Sequence, residues 1–302
     1  MQLVSAVLTT HNRKLAIVER ALVSILNQTY PHIEVIVVDD SSPDYVDRNE
    51  IEVLVSELTK NQAHYIRHKT NIGACAARNT GMENATGEFI AFLDDDDEWL
   101  PNKIEQQISK FNDPRTALVY CGSQSVNDID GIIQIRNTLF FSGNVYDKLM
   151  RANFIGSTSF PLIRKKYLEE IGGFDVEMQS SQDYDVWLRL AKKYPVEYVP
   201  EPLVVYHKHI DERISMNPYK RLAGKERINL KNAKFISEHD DVWWYRHISL
   251  TPYYAKTGLI KKAFLIWMRA ALRCPGKVSL NLKYLLRIIK SSILFSLKRK
   301  RM

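Results

Sequence analysis

An apolar run, Phe89-Ile-Ala-Phe-Leu93, drives straight into four consecutive carboxylates, Asp94 to Asp97, with Glu98, Trp99 and Pro101 close behind. Adjacent acids repel one another, and a folded interior tolerates four of them only where positive charge gathers. The run before them has strand character. It therefore aims the acids at the carboxyl end of a sheet, where open α/β folds bind ligands. A divalent cation with a phosphate behind it suits such a rim, because hard cations take oxygen ligands and keep positions for substrate phosphates. A solvated loop is the commoner fate of an acidic run. Against that stands a second acidic pair, Asp39-Asp40, which ends the apolar run Val35-Ile-Val-Val38. Two strands then deliver carboxylates to one edge.

Over the first 125 residues, strand-like and helix-like patterns alternate. Residues 3–8 read as a buried strand, and 14–27 as a helix with Leu15, Val18, Leu22, Ile25 and Leu26 on one stripe. Strand 33–38, a helix within 44–60, strand 64–67, a helix near 74–85 and strand 88–93 follow. Pro101 suits the N1 position of a further helix, and strand 117–122 closes the series. The alternation predicts a parallel, doubly wound sheet. Beyond about 125 the strands are expected to shorten. A helix is predicted over 183–194, two strand-like pieces around Pro200 and Pro202, and helices from about 218. No low-complexity linker separates the halves, which are expected to share one core.

The 302 residues suffice for one large domain or two smaller ones. Three cysteines, Cys75, Cys121 and Cys274, are an odd set without paired spacing. They fit a reducing cytoplasm better than a disulfide framework or a zinc site. The N-terminus enters a strand at once, so no signal peptide is expected. No apolar stretch approaches the ~20 residues that span a bilayer. The net charge of +7 is unevenly spread. Residues 242–302 carry 14 Lys or Arg and no Asp or Glu, leaving 28 bases against 35 acids before them. That asymmetry suggests a tail that meets an anionic surface. Residues 242–273 read as a helical hairpin broken near Lys256-Thr-Gly258. Residues 279–298 are amphipathic, with Leu282, Leu286, Ile289 and Ile293 on one face and Lys283, Arg287 and Lys290 on another. An interfacial helix on anionic lipid and a surface helix docked on the protein both fit.

Six segments, in order, carry a resemblance. They are Val4-Ser-Ala-Val-Leu-Thr-Thr-His-Asn-Arg13, Val37-Val-Asp-Asp-Ser-Ser42, Asn71-Ile-Gly-Ala-Cys-Ala-Ala-Arg-Asn-Thr-Gly81, Phe92-Leu-Asp-Asp-Asp-Asp-Glu-Trp-Leu-Pro101, Gly172-Gly-Phe-Asp175 and Gln182-Asp-Tyr-Asp-Val-Trp-Leu-Arg189. Together they resemble the inverting, non-processive family 2 glycosyltransferases. The resemblance runs from residue 3 to about 215. It implies a GT-A type α/β fold, a doubly wound, mostly parallel, Rossmann-like sheet, here with a C-terminal α-helical extension. It divides the chain into a nucleotide-sugar-binding half (1–125), an acceptor-binding and catalytic half (126–217) and a basic helical extension (218–302).

The resemblance also implies roles. Thr9, His11, Asn12 and Arg13 fill the first donor loop, where family members often have Tyr at the place of His11. Asp40 is the candidate for hydrogen-bonding the base, and Arg78 for a diphosphate or base-edge contact. Asp94-x-Asp96 resembles the family's DXD element, with Asp96 as principal ligand of Mn²⁺ or Mg²⁺, and with Asp94 and Asp95 orienting ribose or metal-bound water. His209 matches a family position near the diphosphate or metal. Asp183 occupies the place of the family's catalytic base. A position at a helix start favours the ionised carboxylate and so tends to lower its basicity. As bare sequence features, Asp39-Asp40 also suit a turn, Asp183 a helix cap, and Trp99 and Trp187 the core.

The expected activity is transfer of a sugar from a nucleotide-sugar donor, UDP-linked, to a hydroxyl of a lipid-linked or polysaccharide acceptor in bacterial surface-glycan assembly. The expected location is the cytoplasm, peripheral at the inner face of the cell membrane, with an anionic membrane surface as partner and no nucleic acid. Two other classes compete. A nucleotidyltransferase would carry a Gly-rich, basic first loop, which Thr9-Thr-His-Asn-Arg13 is not. A non-enzymatic nucleic-acid or membrane-binding protein would act through the tail alone, yet a nucleic-acid binder needs a basic body, and this body is net acidic.

Overall fold

The computed structural model describes residues 2–127, 133–136, 139–208 and 217–299. The chain forms two compact units. The first is drawn from residues 1–146, 153–176 and 183–210, the second from 147–152, 177–182 and 211–302.

The first unit opens with β1 (Val4–Thr10), α1 (Leu15–Leu26), β2 (Ile33–Asp39), α2 (Arg48–Thr59), β3 (His64–Arg67), α3 (Ala74–Asn84) and β4 (Phe89–Asp94). The four strands lie in the order β3-β2-β1-β4, and each pairing is parallel. Val4, Ala6, Val7 and Leu8 are buried, as are Phe89 to Leu93. Both faces of these strands are covered, so their sequences read as continuous apolar runs. The chain moves one way from β1 to β3 and then crosses to the far side of β1 for β4. That reversal is a topological switch point, with a crevice at the strands' carboxyl ends. Thr9 faces Asp94 there, and Thr10 faces Asp39.

The sheet continues through β5 (Asp97–Trp99), α4 (Lys103–Ile108), β6 (Leu118–Asn127), β7 (Ile133–Arg136), α5 (Tyr146–Arg151), β8 (Leu162–Arg164), α6 (Lys165–Glu170), α7 (Gln182–Ala191) and β9 (Val196–Lys208). Here it turns mixed. β8 runs antiparallel to both β4 and β6, β9 parallel to β6, and β5 antiparallel to β9. The expected shortening holds for β7 and β8, at 4 and 3 residues, and fails for β9, which at 13 residues is longer than any strand before it; β6, which starts before residue 125, has 10. Pro200 and Pro202 do not break β9 in two. The register with β6 shifts at Gly122, where a Cβ would press on Glu201 O, and a bulge accommodates prolines that a regular ladder would reject. Pro101 precedes the helix rather than opening it, since α4 begins at Lys103.

The second unit holds most of α5 together with α8 (Pro218–Lys231), α9 (Ala233–Glu238), α10 (Asp240–Ile248), α11 (Thr251–Lys256), α12 (Ile260–Arg273) and α13 (Val278–Arg299). Asn217 caps α8, its Oδ1 accepting from the backbone N–H of Tyr219 and Lys220 at 3.0 and 3.1 Å, with Pro218 in the first turn. The expected hairpin over 242–273 is three helices, α10 to α12, because the chain also breaks at Ser249-Leu250. Trp244 is fully buried, and its Nε1 donates to Asn281 Oδ1 at 2.9 Å. α13 is docked through Asn281, Ile288 and Ser291, all buried. Its predicted apolar stripe nevertheless faces solvent: Leu282, Leu286, Ile289 and Ile293 are 54, 67, 42 and 55% exposed. Among the described residues, no helix is long and apolar enough to cross a membrane.

Candidate active site

The carboxyl ends of β1, β2 and β4 gather the residues that the motifs single out. The four acids of the run meet four different fates. Asp94, the last residue of β4, receives Arg78 from α3 at 2.6 Å and the hydroxyls of Thr158 and Ser157 at 3.0 and 3.4 Å. Burial alone would raise its pKa. The Arg78 guanidinium and the two hydroxyls outweigh that and hold it below the usual carboxylate range. Asp95 is buried and accepts from Arg13 Nε at 2.9 Å. Here burial wins over Arg13, with Asp96 and Asp94 adding repulsion, and the pKa is pushed up to about 6. Asp97 turns into β5, where Ser159 Oγ donates to it at 2.6 Å. Asp96 has Arg13 at 3.7 Å, and among the described residues nothing donates a hydrogen bond to its carboxylate. Arg20 adds charge from α1, reaching Glu98 at 3.3 Å and the Asp96 carbonyl at 3.4 Å. Arginines 13, 20 and 78 thus supply much of the positive charge that four adjacent acids require.

The donor-loop residues tie neighbouring strand ends together. His11 Nδ1 lies 2.9 Å from Asp40 O and 3.0 Å from Asn71 Nδ2, and its backbone N–H points to Asp95 at 3.3 Å. Asn12 takes a left-handed φ of 46°. Its N–H donates to Ser41 Oγ, and its Oδ1 accepts from Ser42 N–H, both at 2.9 Å. Thr9 is half-buried at the end of β1. Asp40 accepts from the backbone N–H of Ile72 and Gly73 at 2.9 and 2.8 Å and meets His68 Nδ1 at 2.8 Å. Its carboxylate therefore anchors the 68–73 loop. Asp39 is fully buried and pairs with Arg48 at 2.8 Å and the Tyr65 hydroxyl at 2.9 Å.

On the other wall, Asp183 is the second residue of α7 and half-buried. Its pKa is pushed up to about 6 by burial and by Asp94, against the Tyr184 N–H and Arg78. The expected pull of the helix terminus is present, and burial overrides it. Arg78 lies within electrostatic reach of both Asp94 and Asp183. Phe174 lies beneath the guanidinium, 5.5 Å from centroid to Cζ, and Asn79 pins the Phe174 backbone with two hydrogen bonds of 2.8 Å. Gly173, at φ +65°, is required here, because a Cβ would meet Asn79 Oδ1 at 2.6 Å. Arg189 holds the same turn, donating to Asp185 and to the carbonyls of Ile171 and Gly173 at 2.7–2.8 Å. The two acceptor-side motifs are thus one piece of scaffold. Trp99 and Trp187 are buried, as expected for core.

His209 lies outside the described residues. His207 is buried on β9, its Nε2 2.5 Å from Glu98 Oε1. Sequence reasoning missed Ser157, Thr158 and His68, and it singled out Phe174 only as part of the Gly172–Asp175 segment, without its place under Arg78. Only the small polar run Ser157-Thr-Ser159 after Gly156 carried any signal. Among the described residues, no group of three or more His, Cys, Asp or Glu is arranged to hold a metal ion.

The carboxylates thus rim the carboxyl ends of β1, β2 and β4, at the switch point of the mixed sheet. The profile described as "Glycosyl transferase family 2" matches residues 5–172. The chain belongs to that family. It is 31% identical over 227 residues to the putative colanic acid biosynthesis glycosyl transferase WcaA of Escherichia coli K12, covering 74% of this chain and 78% of that protein. It is 29% identical over 223 residues to the E. coli UDP-Glc:alpha-D-GlcNAc-diphosphoundecaprenol beta-1,3-glucosyltransferase WfgD, covering 73% and 82%. Some relatives are much longer: the chain spans 35% of an uncharacterized Rickettsia felis glycosyltransferase to which it is 30% identical. Among solved structures, S. aureus TarS 1-349 in complex with UDP-GlcNAc superposes with a TM-score of 0.67 at 16% identity, covering 99% of this chain and 92% of that one. The mannosyltransferase PcManGT of Pyrobaculum calidifontis, in complex with GDP-Man and Mn²⁺, gives 0.62 at 19% identity, covering 97% and 87%. The fold is that of the GT-A glycosyltransferases.

Proposed function

We propose that this chain is an inverting, metal-dependent glycosyltransferase. It moves a sugar from a nucleotide-sugar donor, UDP-linked, to a hydroxyl of a lipid-linked or polysaccharide acceptor in bacterial surface-glycan assembly. The observation that carries the proposal is the trio Asp94–Arg78–Asp183 at the switch point, with Asp96 beside it. A base for an alcohol should be a carboxylate whose pKa lies close to the working pH, and Asp183, at about 6, is one. Attack from its side, opposite the leaving diphosphate, inverts the anomeric centre.

Mg²⁺ or Mn²⁺ binds through one or two carboxylates and substrate phosphates, keeping its waters, so a preformed trio of ligands is not needed. Asp96, with no hydrogen bond to its carboxylate among the described residues, fits as the principal ligand. Asp94 is engaged by Arg78, Thr158 and Ser157, so its place in the metal's surroundings is to orient bound water or ribose. His209 is a further candidate. The metal would supply a Lewis acid for the diphosphate charge that develops as the bond breaks. Arg13 and Arg78 flank the same place. His11, Asn12 and Thr9 shape the base and ribose pocket, and Asp40 acts there by holding the 68–73 loop. The names of WcaA and WfgD support a surface-glycan or lipid-linked acceptor. The solvent-facing stripe of α13 and the acid-free tail support peripheral attachment to an anionic membrane.

The test is a panel of nucleotide sugars with Mn²⁺, reading nucleoside diphosphate release with and without acceptor, and calorimetry with UDP. Metal-dependent UDP binding that Asp96→Ala abolishes in a folded protein is the expected result. Absence of any nucleoside diphosphate or divalent cation binding overturns the proposal.

A further inference from the structure

A cavity of about 430 Å³ opens among α8, α11 and α13 in the second unit. Its lining includes Lys225, Lys256, Arg287 and Lys290 and no Asp or Glu. Ser249, Tyr253, Tyr284 and Ser291 add hydroxyl groups. Three cations crowd the Tyr253 ring, with Arg221, Lys225 and Lys256 at 5.3, 5.7 and 5.6 Å from its centroid. Two cations elsewhere in this unit have carboxylate partners: Lys262 pairs with Glu226 at 3.2 Å and Arg273 with Asp240 at 2.6 Å. Among the described residues, the four that line the cavity have none. Burial, with Arg246 and Arg221 nearby, pushes the Lys225 ammonium down to about 8. Like charges held this close without counter-charge cost stability, and a bound anion removes that cost.

We propose that this cavity binds a phosphate group, as a mono- or diphosphate ester. Lys and Arg are the side chains that hold phosphate oxygens by charge-assisted hydrogen bonds. The space accommodates a phosphorylated headgroup and excludes nothing of that size. Leu294, at the rim, belongs to the exposed apolar side of α13, so a phosphate attached to a lipid chain meets matching surfaces at both ends. The shared chemistry is the phosphate, and its source is either a lipid headgroup or a soluble phosphate ester. The proposal concerns the helical unit alone and stands apart from the sugar-transfer reading.

The test titrates inorganic pyrophosphate into the metal-free full chain by calorimetry. Lys256→Gln/Arg287→Gln/Lys290→Gln changes three exposed positions, so the helices keep their packing. A charge-matched control, Lys234→Gln/Lys261→Gln/Arg269→Gln, removes three exposed cations that do not line the cavity. Affinity lowered about 10-fold or more in the first variant and unchanged in the second is the expected result. A second arm floats the proteins with phosphatidylcholine vesicles containing phosphatidic acid. Loss of vesicle binding in the first variant alone makes the source a lipid headgroup. Loss of pyrophosphate binding with vesicle binding intact makes it a soluble ester. Equal effects of the two variants in both arms overturn the proposal, because the charge would then act diffusely.

Discussion

At Asp183 stability and chemistry pull in opposite directions. Its carboxyl pKa stands at about 6 against the ordinary 3.8, so the fold favours the protonated form. The native state then binds more protons than the unfolded chain between about pH 4 and 6, and stability falls as pH rises through that window. Two pKa units correspond to up to about 3 kcal/mol. Asp183→Asn should therefore unfold at higher denaturant than wild type at pH 7.5, with the gap closing below about pH 4. The same variant should lose about 10²–10⁴ in turnover. Wild-type kcat/KM should fall tenfold per pH unit below about 6, and a flat profile there rules out Asp183 as the base. Arg78 is the complementary case. Arg78→Ala strands Asp94 at the rim with only hydroxyl partners and should cost about 3 kcal/mol in urea unfolding. The identities of these residues were legible in the motifs, but their partners were not. Nothing in the local pattern says that Asp40 spends its oxygens on Ile72 and Gly73, or that Ser157 and Thr158 come back to Asp94 from some 60 residues away. Such contacts are made by the crossing of the sheet, which no window of sequence contains.

The parallel half of the sheet was readable because β1, β2 and β4 are largely buried and their helices bury one face, while β3 is a short edge strand. Residues 64–67 and the bounds of α1, α3 and β4 follow the apolar periodicity within two residues. Beyond 125 that signal fails for a physical reason. β9 pairs with β6 on one side and, only at its end, with β5 on the other, and its bulge absorbs two prolines that ordinarily mark a break. The packing of α3 on β1 offers a test at this scale. Gly81 sits so close to the sheet that an added Cβ would overlap Val7 Cγ1. Gly81→Ala should thus destabilise by about 1–3 kcal/mol despite alanine's better helix propensity. In a Val7→Ala background the same substitution should become neutral or stabilising. A double-mutant cycle showing simple additivity would mean that the close approach is not what selects glycine there.

Charge is divided along the whole chain, with acids concentrated before residue 242 and none after it. A basic tail is ambiguous by composition, because phosphate-rich polymers and anionic lipids attract it equally. The exposed stripe of α13 bears on that choice. α13 spends Asn281, Ile288 and Ser291 on docking and turns Leu282, Leu286, Ile289 and Ile293 to solvent beside Lys283, Arg287 and Lys290. Nucleic acid has no use for a row of exposed aliphatic side chains, whereas a membrane interface rewards it by roughly 25 cal/mol per Å² of apolar area buried. Anionic lipid adds about 1 kcal/mol per nearby Lys or Arg. Deleting α13 is a poor test, since it removes the partner of Trp244 and breaks the helical core. Leu286→Gln/Ile293→Gln is a better one: both positions are exposed and the charge is unchanged, so stability in urea should stay within about 0.5 kcal/mol of wild type. Binding to vesicles containing phosphatidylglycerol should drop at least tenfold in this variant, while any salt-dependent binding to double-stranded DNA changes little. Unchanged vesicle binding would show that the stripe does not enter the bilayer, and that attraction to the surface comes from the basic residues alone.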